Sequence, residues 1–146
     1  MTGTIVVGVD GSAASVMALR WAVARATVEH RTVTAVEVRT PVRIGPGTSY
    51  APAPFGRTSP YRTVGKLHDT VAAVQQAVPE APRITELERS GDAGVELARA
   101  ARGAVMLVLG HTPHRRTTEF LFGGVTAECL RHAGVPVVLV PIPRRS

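Results

Sequence analysis

Short apolar runs alternate with stretches whose apolar residues recur every three or four positions, and this alternation leaves the chain few ways to fold. Thr4 to Val9, Val33 to Val38, Ile84 to Ser90, Val105 to Leu109 and Val137 to Val140 read as strands. Between them, Val16, Leu19, Ala22, Val23 and Ala26 mark a first helix, and Val64, Leu67, Val71, Val74 and Val78 a second. Leu97, Ala98 and Ala101 mark a third, and the pair Gly123-Gly124 opens a fourth. The order β-α-β-α-β-α-β-α-β predicts parallel strands joined by right-handed crossovers, with helices on both faces of one open sheet. The expected fold class is therefore α/β with a five-stranded parallel sheet.

Polarity orders the strands. A central parallel strand is covered on both faces and reads as nearly continuous apolar sequence. "TIVVGV" and "VMLVLG" satisfy this, whereas "TVTAVEV" is more polar and "ITELERS" carries Glu86, Glu88 and Arg89. The third strand is then an edge with the second beside it, and the order is 3-2-1-4-5. In such a sheet the connections reverse direction between strands 1 and 4, and ligands bind in the crevice outside the carboxyl ends there. Asp10-Gly11-Ser12 and Gly110-His111-Thr112 are the segments that meet at that crevice.

Two features exceed a bare sheet. The fifth strand, Val137, Val138, Leu139 and Val140, is apolar throughout although it is the other edge, and an uncovered apolar edge invites pairing. A symmetric partner is the simplest cover, so a homodimer through strand 5 is expected. The segment Thr40 to Arg62 holds five prolines and three glycines and is too long for an ordinary connection. It is expected to be a flexible loop, either a lid at the crevice or plain disorder.

A length of 146 residues with 45% apolar content suits one domain, 1–146, with a real core. The chain goes from Met1 straight into "TIVVGVD" without a basic leader, and its apolar runs are too short to span a membrane, so a cytoplasmic protein is expected. The net charge of +6 raises the question of nucleic acid, but the arginines are scattered and the aromatic content of 4% supplies no stacking platform. A small anionic ligand fits the charge better. Cys129 falls at helical spacing with Leu130 and Ala133 and is expected in the core.

Catalytic patterns are thin. His111 and His114 lie three apart, but Pro113 stands between them and no third ligand follows, which argues against zinc. Neither a Gly-x-Ser-x-Gly elbow nor a Gly-Lys-Ser/Thr phosphate loop occurs. Glu86 and Glu88 form the nearest thing to a carboxylate pair, and a solvated edge strand explains them better than acid-base chemistry. No enzyme is evident in these patterns.

At the crevice residues the sequence resembles the universal stress protein family. The resemblance spans nearly the whole chain, through "IVVGVDGSAAS" at the start, "GDAG" at Gly91 to Gly94, "VMLVLG" in strand 4 and "GGVTAECLRHAGVPVVLVP" at the end. It implies a Rossmann-like α/β sandwich, commonly dimeric, that acts as a regulatory or sensing module and in one branch binds ATP or another adenine nucleotide, with Mg accompanying it. The binding branch carries a loop of Gly, two residues, Gly, nine residues, Gly, then Ser or Thr. Here Gly110 matches the first glycine, Pro113 replaces the second, nine residues from His114 to Phe122 follow, Gly123 matches the third and Gly124 replaces the hydroxyl residue. Val105 stands where members often have Asp.

Proline offers no N–H to a phosphate oxygen and fixes φ near −65°, so Pro113 is the severe change. Gly124 lacks a hydroxyl but keeps its N–H at a helix start, and Thr126 carries a hydroxyl two residues on. By resemblance, Asp10 serves the adenosine half, Val38 packs near the base, and Val9 and Gly11 beside Asp10 belong to the same nucleotide site. Gly110, Gly123, Gly124, Val125 and Thr126 frame the phosphate end, with His111 and Arg115, beside His114 and Arg116, as cations replacing lost donors. Three readings stay open: a module that binds an adenine nucleotide weakly, a dimeric stress-response module that binds none, and a slow ATPase.

Overall fold

The computed structural model of the protein describes residues 3–40, 66–112 and 124–143. Five strands, β1 (Thr4–Gly8), β2 (Thr32–Arg39), β3 (Ile84–Ser90), β4 (Met106–His111) and β5 (Val137–Pro141), alternate with four helices. The helices are α1 (Ala13–Glu29), α2 (Lys66–Ala77), α3 (Ala93–Ala100) and α4 (Gly124–His132). All strands run parallel in the order β3-β2-β1-β4-β5, as the polarity of the strands predicts. Residues 41–62, which carry the expected flexible loop beyond Thr40, and the loop positions 113–123 lie outside the described residues.

Strand limits differ from the expected ones by a residue or two. β1 ends at Gly8, although the Val9 N–H still reaches the Val36 carbonyl at 2.8 Å. β4 begins at Met106 rather than Val105 and runs on to His111, because β5 pairs with it as far as Pro141. Val105 itself sits at the amino end of β4, where its N–H meets the Thr4 carbonyl at 2.8 Å. The change from the family's common Asp therefore falls at the end of the sheet opposite the crevice.

The sheet divides the core in two. On one face Ile5, Val7, Val33, Ala35 and Val108 pack against α1 and α2. On the other, Val6, Val36, Leu107 and Leu109 pack against Leu97 of α3, Ala101 at its carboxyl cap and Cys129 of α4. Alternate residues of each strand thus feed opposite cores, which is why the central strands carry no polar face.

Helix α1 forms because Ser12 caps it and because its inward positions are small. The Ser12 hydroxyl accepts from the Ser15 N–H at 3.1 Å, and His30 closes the other end in the left-handed conformation at φ 59°. Ala14, Ala18, Ala22 and Ala26 are buried along one side, so the helix axis can approach the sheet closely. Gly110 shows how closely: a Cβ at that position would overlap the backbone carbonyl of Ala14. On the opposite face Asp92 caps α3 by accepting from the Val95 N–H at 3.1 Å, and a Cβ on Gly94 would run into the Glu128 side chain of α4. The "GDAG" stretch is thus a turn, a cap and a helix-packing contact in four residues.

Candidate functional site

The helices that follow β1 and β4, α1 and α4, pack on opposite faces of the sheet, and the space at the carboxyl ends of these strands is the crevice expected from the strand order. A cavity of about 160 Å³ opens there. Gly8, Val9 and Asp10 contribute from the β1 end, Val36 and Val38 from β2, and Leu109 and Gly110 from β4. Ser12 and Ser15 approach from the start of α1, Ala93 and Leu97 from α3, and Val125 and Thr126 from the first turn of α4. Small residues create the space: a Cβ at Gly8 would crowd Leu109 and Leu97 at 3.0–3.1 Å.

Asp10 is the most constrained polar group in this wall. Its Oδ1 accepts from the Ser12 N–H at 2.8 Å, and its own N–H donates to the Ser15 Oγ at 3.2 Å. The Ser15 hydroxyl in turn donates to the Ser12 carbonyl at 3.0 Å. Partial burial pushes the Asp10 pKa up, but hydrogen bonding from Ser12 and Ser15 outweighs it and holds the carboxyl below its usual range. The result is an ionised, oriented carboxylate at neutral pH. Gly11 provides the turn beneath it at φ +87°, a conformation that favours glycine.

Six of the positions singled out in the sequence, Val9, Asp10, Val38, Gly110, Val125 and Thr126, therefore meet at one cavity. Gly11, His111 and Gly124 are placed near its elements but do not line it. His111 ends β4 in register with Pro141, and its carbonyl accepts from the Ile142 N–H at 3.2 Å. Gly124 starts α4, and among the described residues no atom lies within 4 Å of where its Cβ would stand. Arg115 and Gly123 lie outside the described residues, as do Pro113, His114 and Arg116. Sequence reasoning missed Ser15, Ala93 and Leu97. The signal for Ser15 was its place three residues after a capping serine; for Ala93 and Leu97 it was their spacing of four on a helix that must cover strand ends.

Thr126 is buried, with 8% of its surface exposed, whereas Val125 beside it is 44% exposed at the cavity mouth. An apolar side chain left open beside polar groups is a surface that a ligand can cover. Cys129 lies deeper in α4, fully buried, with its Sγ donating to the Gly94 carbonyl at 3.7 Å. Burial, then the nearby Asp92 and Glu128 charges, push its pKa up to about 11, which suits a packing role. Glu86 and Glu88 are exposed on β3 and pair with His68 at 3.0 Å and Arg39 at 3.1 Å. Among the described residues no group of three or more His, Cys, Asp or Glu is arranged to hold a metal. No helix among them is long and apolar enough to cross a membrane.

Comparison with known proteins agrees with the fold. Residues 1–141 match the universal stress protein family. A universal stress protein of Mycobacterium tuberculosis is 30% identical over 151 aligned residues, which take in 94% of this chain and 47% of that protein. The chain thus spans about half the length of the curated relatives it matches. Among solved structures, a universal stress protein family member from Burkholderia pseudomallei is 26% identical, with a TM-score of 0.66 over 96% of each chain. A universal stress protein solved in complex with cAMP is 20% identical, with a TM-score of 0.67 over 96% of this chain and 97% of its own.

Proposed function

The chain belongs to the universal stress protein family, and from that premise we propose that it is a cytoplasmic regulatory or sensing module that binds an adenine nucleotide weakly in the crevice between β1 and β4. The observation that carries this reading is the cavity itself, which gathers Val9, Asp10, Val38, Gly110, Val125 and Thr126 from four separate parts of the chain. Solved structures of this fold that hold cAMP, AMP or dAMP support it. In the finer form of the proposal the ligand set extends to ATP with its Mg. The apolar walls from Val38 and Leu97 suit a base, and the Asp10 carboxylate suits a hydrogen-bond donor on the ribose or base.

Weakness follows from the loop letters. Each hydrogen bond lost to a charged oxygen is worth about 1.5–3 kcal/mol, so the donors missing at Pro113 and Gly124 lower ATP affinity by roughly a hundredfold or more. Among the described residues nothing crowds a side chain at Gly124, which supports a serine there. Calorimetry on wild type and on the double variant Pro113→Gly with Gly124→Ser tests the reading. ATP affinity is expected to rise by roughly tenfold to a thousandfold in the variant while adenosine affinity barely changes. Failure of both proteins to bind adenosine, AMP or ATP would overturn it.

One observation favours a second activity alongside the first. β5 is an edge strand with β4 as its neighbour, and Val137, Val138 and Leu139 on it remain only half-buried. We propose that a second copy covers them, giving a homodimer. Light scattering at micromolar protein is expected to show the dimer, and Val138→Lys is expected to yield monomers or aggregates. A wild-type monomer at that concentration defeats the proposal.

A further inference from the structure

Helix α1 is apolar on two sides, and the sheet accounts for only one of them. Its inner side, with Ala14, Ala18, Ala22 and Ala26, is buried on the strands. Met17, Trp21, Ala24 and Val28 form a second line, spaced four, three and four residues apart, so they follow one another along a single flank of the helix. Met17 and Trp21 are half-buried against the core, Ala24 is exposed, and Val28 has 76% of its surface open. Among the described residues no other large apolar side chain is as exposed as Val28. None of the four lines the cavity, so nucleotide binding does not account for them.

That spacing is the one by which two helices pack side by side, with successive residues of the line filling the a and d positions of a heptad. With Trp21 and Val28 at a, and Met17 and Ala24 at d, Arg20 falls at g and Arg25 at e, the positions whose charges choose the partner. Both arginines are exposed. The Arg25 guanidinium lies 5.6 Å from the centre of the Trp21 ring, so the cation stands beside the apolar line. Glu29 pairs with Arg25 but is shared with Arg31, so one carboxylate meets two guanidinium groups and the flank stays positive.

We infer that this flank of α1 docks an amphipathic helix of a partner protein whose own flanking positions are acidic. Charge argues against the simpler occupant, a second copy of the same helix. Paired parallel, Arg20 would face Arg25 of the copy, and paired antiparallel each arginine would face its own counterpart. A bilayer requires a broad apolar face, whereas Met17 and Trp21 are already turned in part to the core. A helix with Asp or Glu at e and g meets both arginines and covers Val28 and the open edge of Trp21.

Fluorescence titration of the full chain tests it, because Trp21 is the sole tryptophan and reports the flank directly. The probe is a synthetic three-heptad helix without tryptophan, with Leu at a and d and Glu at e and g, whose like charges keep it from pairing with itself. It is expected to shift the Trp21 emission to shorter wavelengths in a saturable way that salt weakens. The same helix with Lys at e and g is expected to bind about tenfold or more weaker. Val28→Ser is expected to weaken the acidic helix by about tenfold without moving the thermal melt, since the side chain is exposed. Arg20→Glu combined with Arg25→Glu is expected to transfer the preference to the Lys helix. Equal response to both helices, or response to neither, overturns the inference. So does loss of self-association in Val28→Ser by light scattering, which would give the flank to a second copy, and so does an equal emission shift on vesicles of phosphatidylglycerol, which would give it to a bilayer.

Discussion

The two faces of the sheet are built from the same strands yet do different work. Against one face α1 lies so close that Gly110 has no room for a Cβ, and the alanines along its inner side leave no gap at the carboxyl end of β4. Against the other face α3 and α4 pack tightly on each other at Gly94 and Glu128, and the cavity forms between their first turns and the strand ends. The difference shows that closeness on one side permits space on the other. A sheet clamped by α1 keeps Asp10 and Gly110 in fixed positions while the first turn of α4 borders the cavity through Val125 and Thr126.

Substitutions can break this comparison or sharpen it. The largest effect is expected on the clamped face: Leu19 is fully buried, and Leu19→Ala is expected to lower stability by about 2–5 kcal/mol in denaturant titration, with little change in ligand affinity for the protein that remains folded. Next is Gly110→Ala, which forces α1 away from β4 and is expected to cost about 1–3 kcal/mol. Because Gly110 also lines the cavity, that variant is expected to lose nucleotide affinity as well, so thermal melts with and without AMP separate the two consequences.

On the open face the expected order reverses. Val125→Ala is expected to change stability by no more than about 0.5 kcal/mol, since the side chain is largely exposed, yet to weaken AMP binding by roughly threefold to tenfold. A loss of stability comparable to that of Leu19→Ala would erase the distinction between the faces. The smallest effect is on acid sensitivity. Because folding lowers the Asp10 pKa, its contribution to stability is full above the ordinary aspartate range near 4 and is lost as pH falls through the depressed folded value. Acid titration of wild type against Asp10→Asn is expected to show a shallower loss in the variant, confined to the region below about pH 4.

Much of the fold was legible because strand polarity and strand burial are the same fact seen twice. Glu86 and Glu88 marked β3 as an edge, and the unbroken apolar letters of β1 and β4 marked the centre. The crevice followed from that order alone, which is how Asp10 and Gly110 were found. What could not be read was the helical wall of the site. Ala93 and Leu97 are ordinary letters in an amphipathic helix, and only the path of α3 over the ends of β1 and β2 gives them a place in the cavity. Gly110 was legible as a loop glycine, but its physical cause, contact with the Ala14 backbone, is a long-range fact that no local pattern encodes.

Cys129 carries a consequence for how the molecule can be watched. It is the sole sulfhydryl in 146 residues, and burial pushes its pKa up to about 11, so the thiol is held protonated and unreactive at pH 7. Sealed between α3 and α4, it meets an alkylating probe only when those helices part. The rate at which such a probe consumes the thiol therefore counts opening events of the α3–α4 layer, and the chain carries its own stopwatch for the half of the fold that borders the crevice.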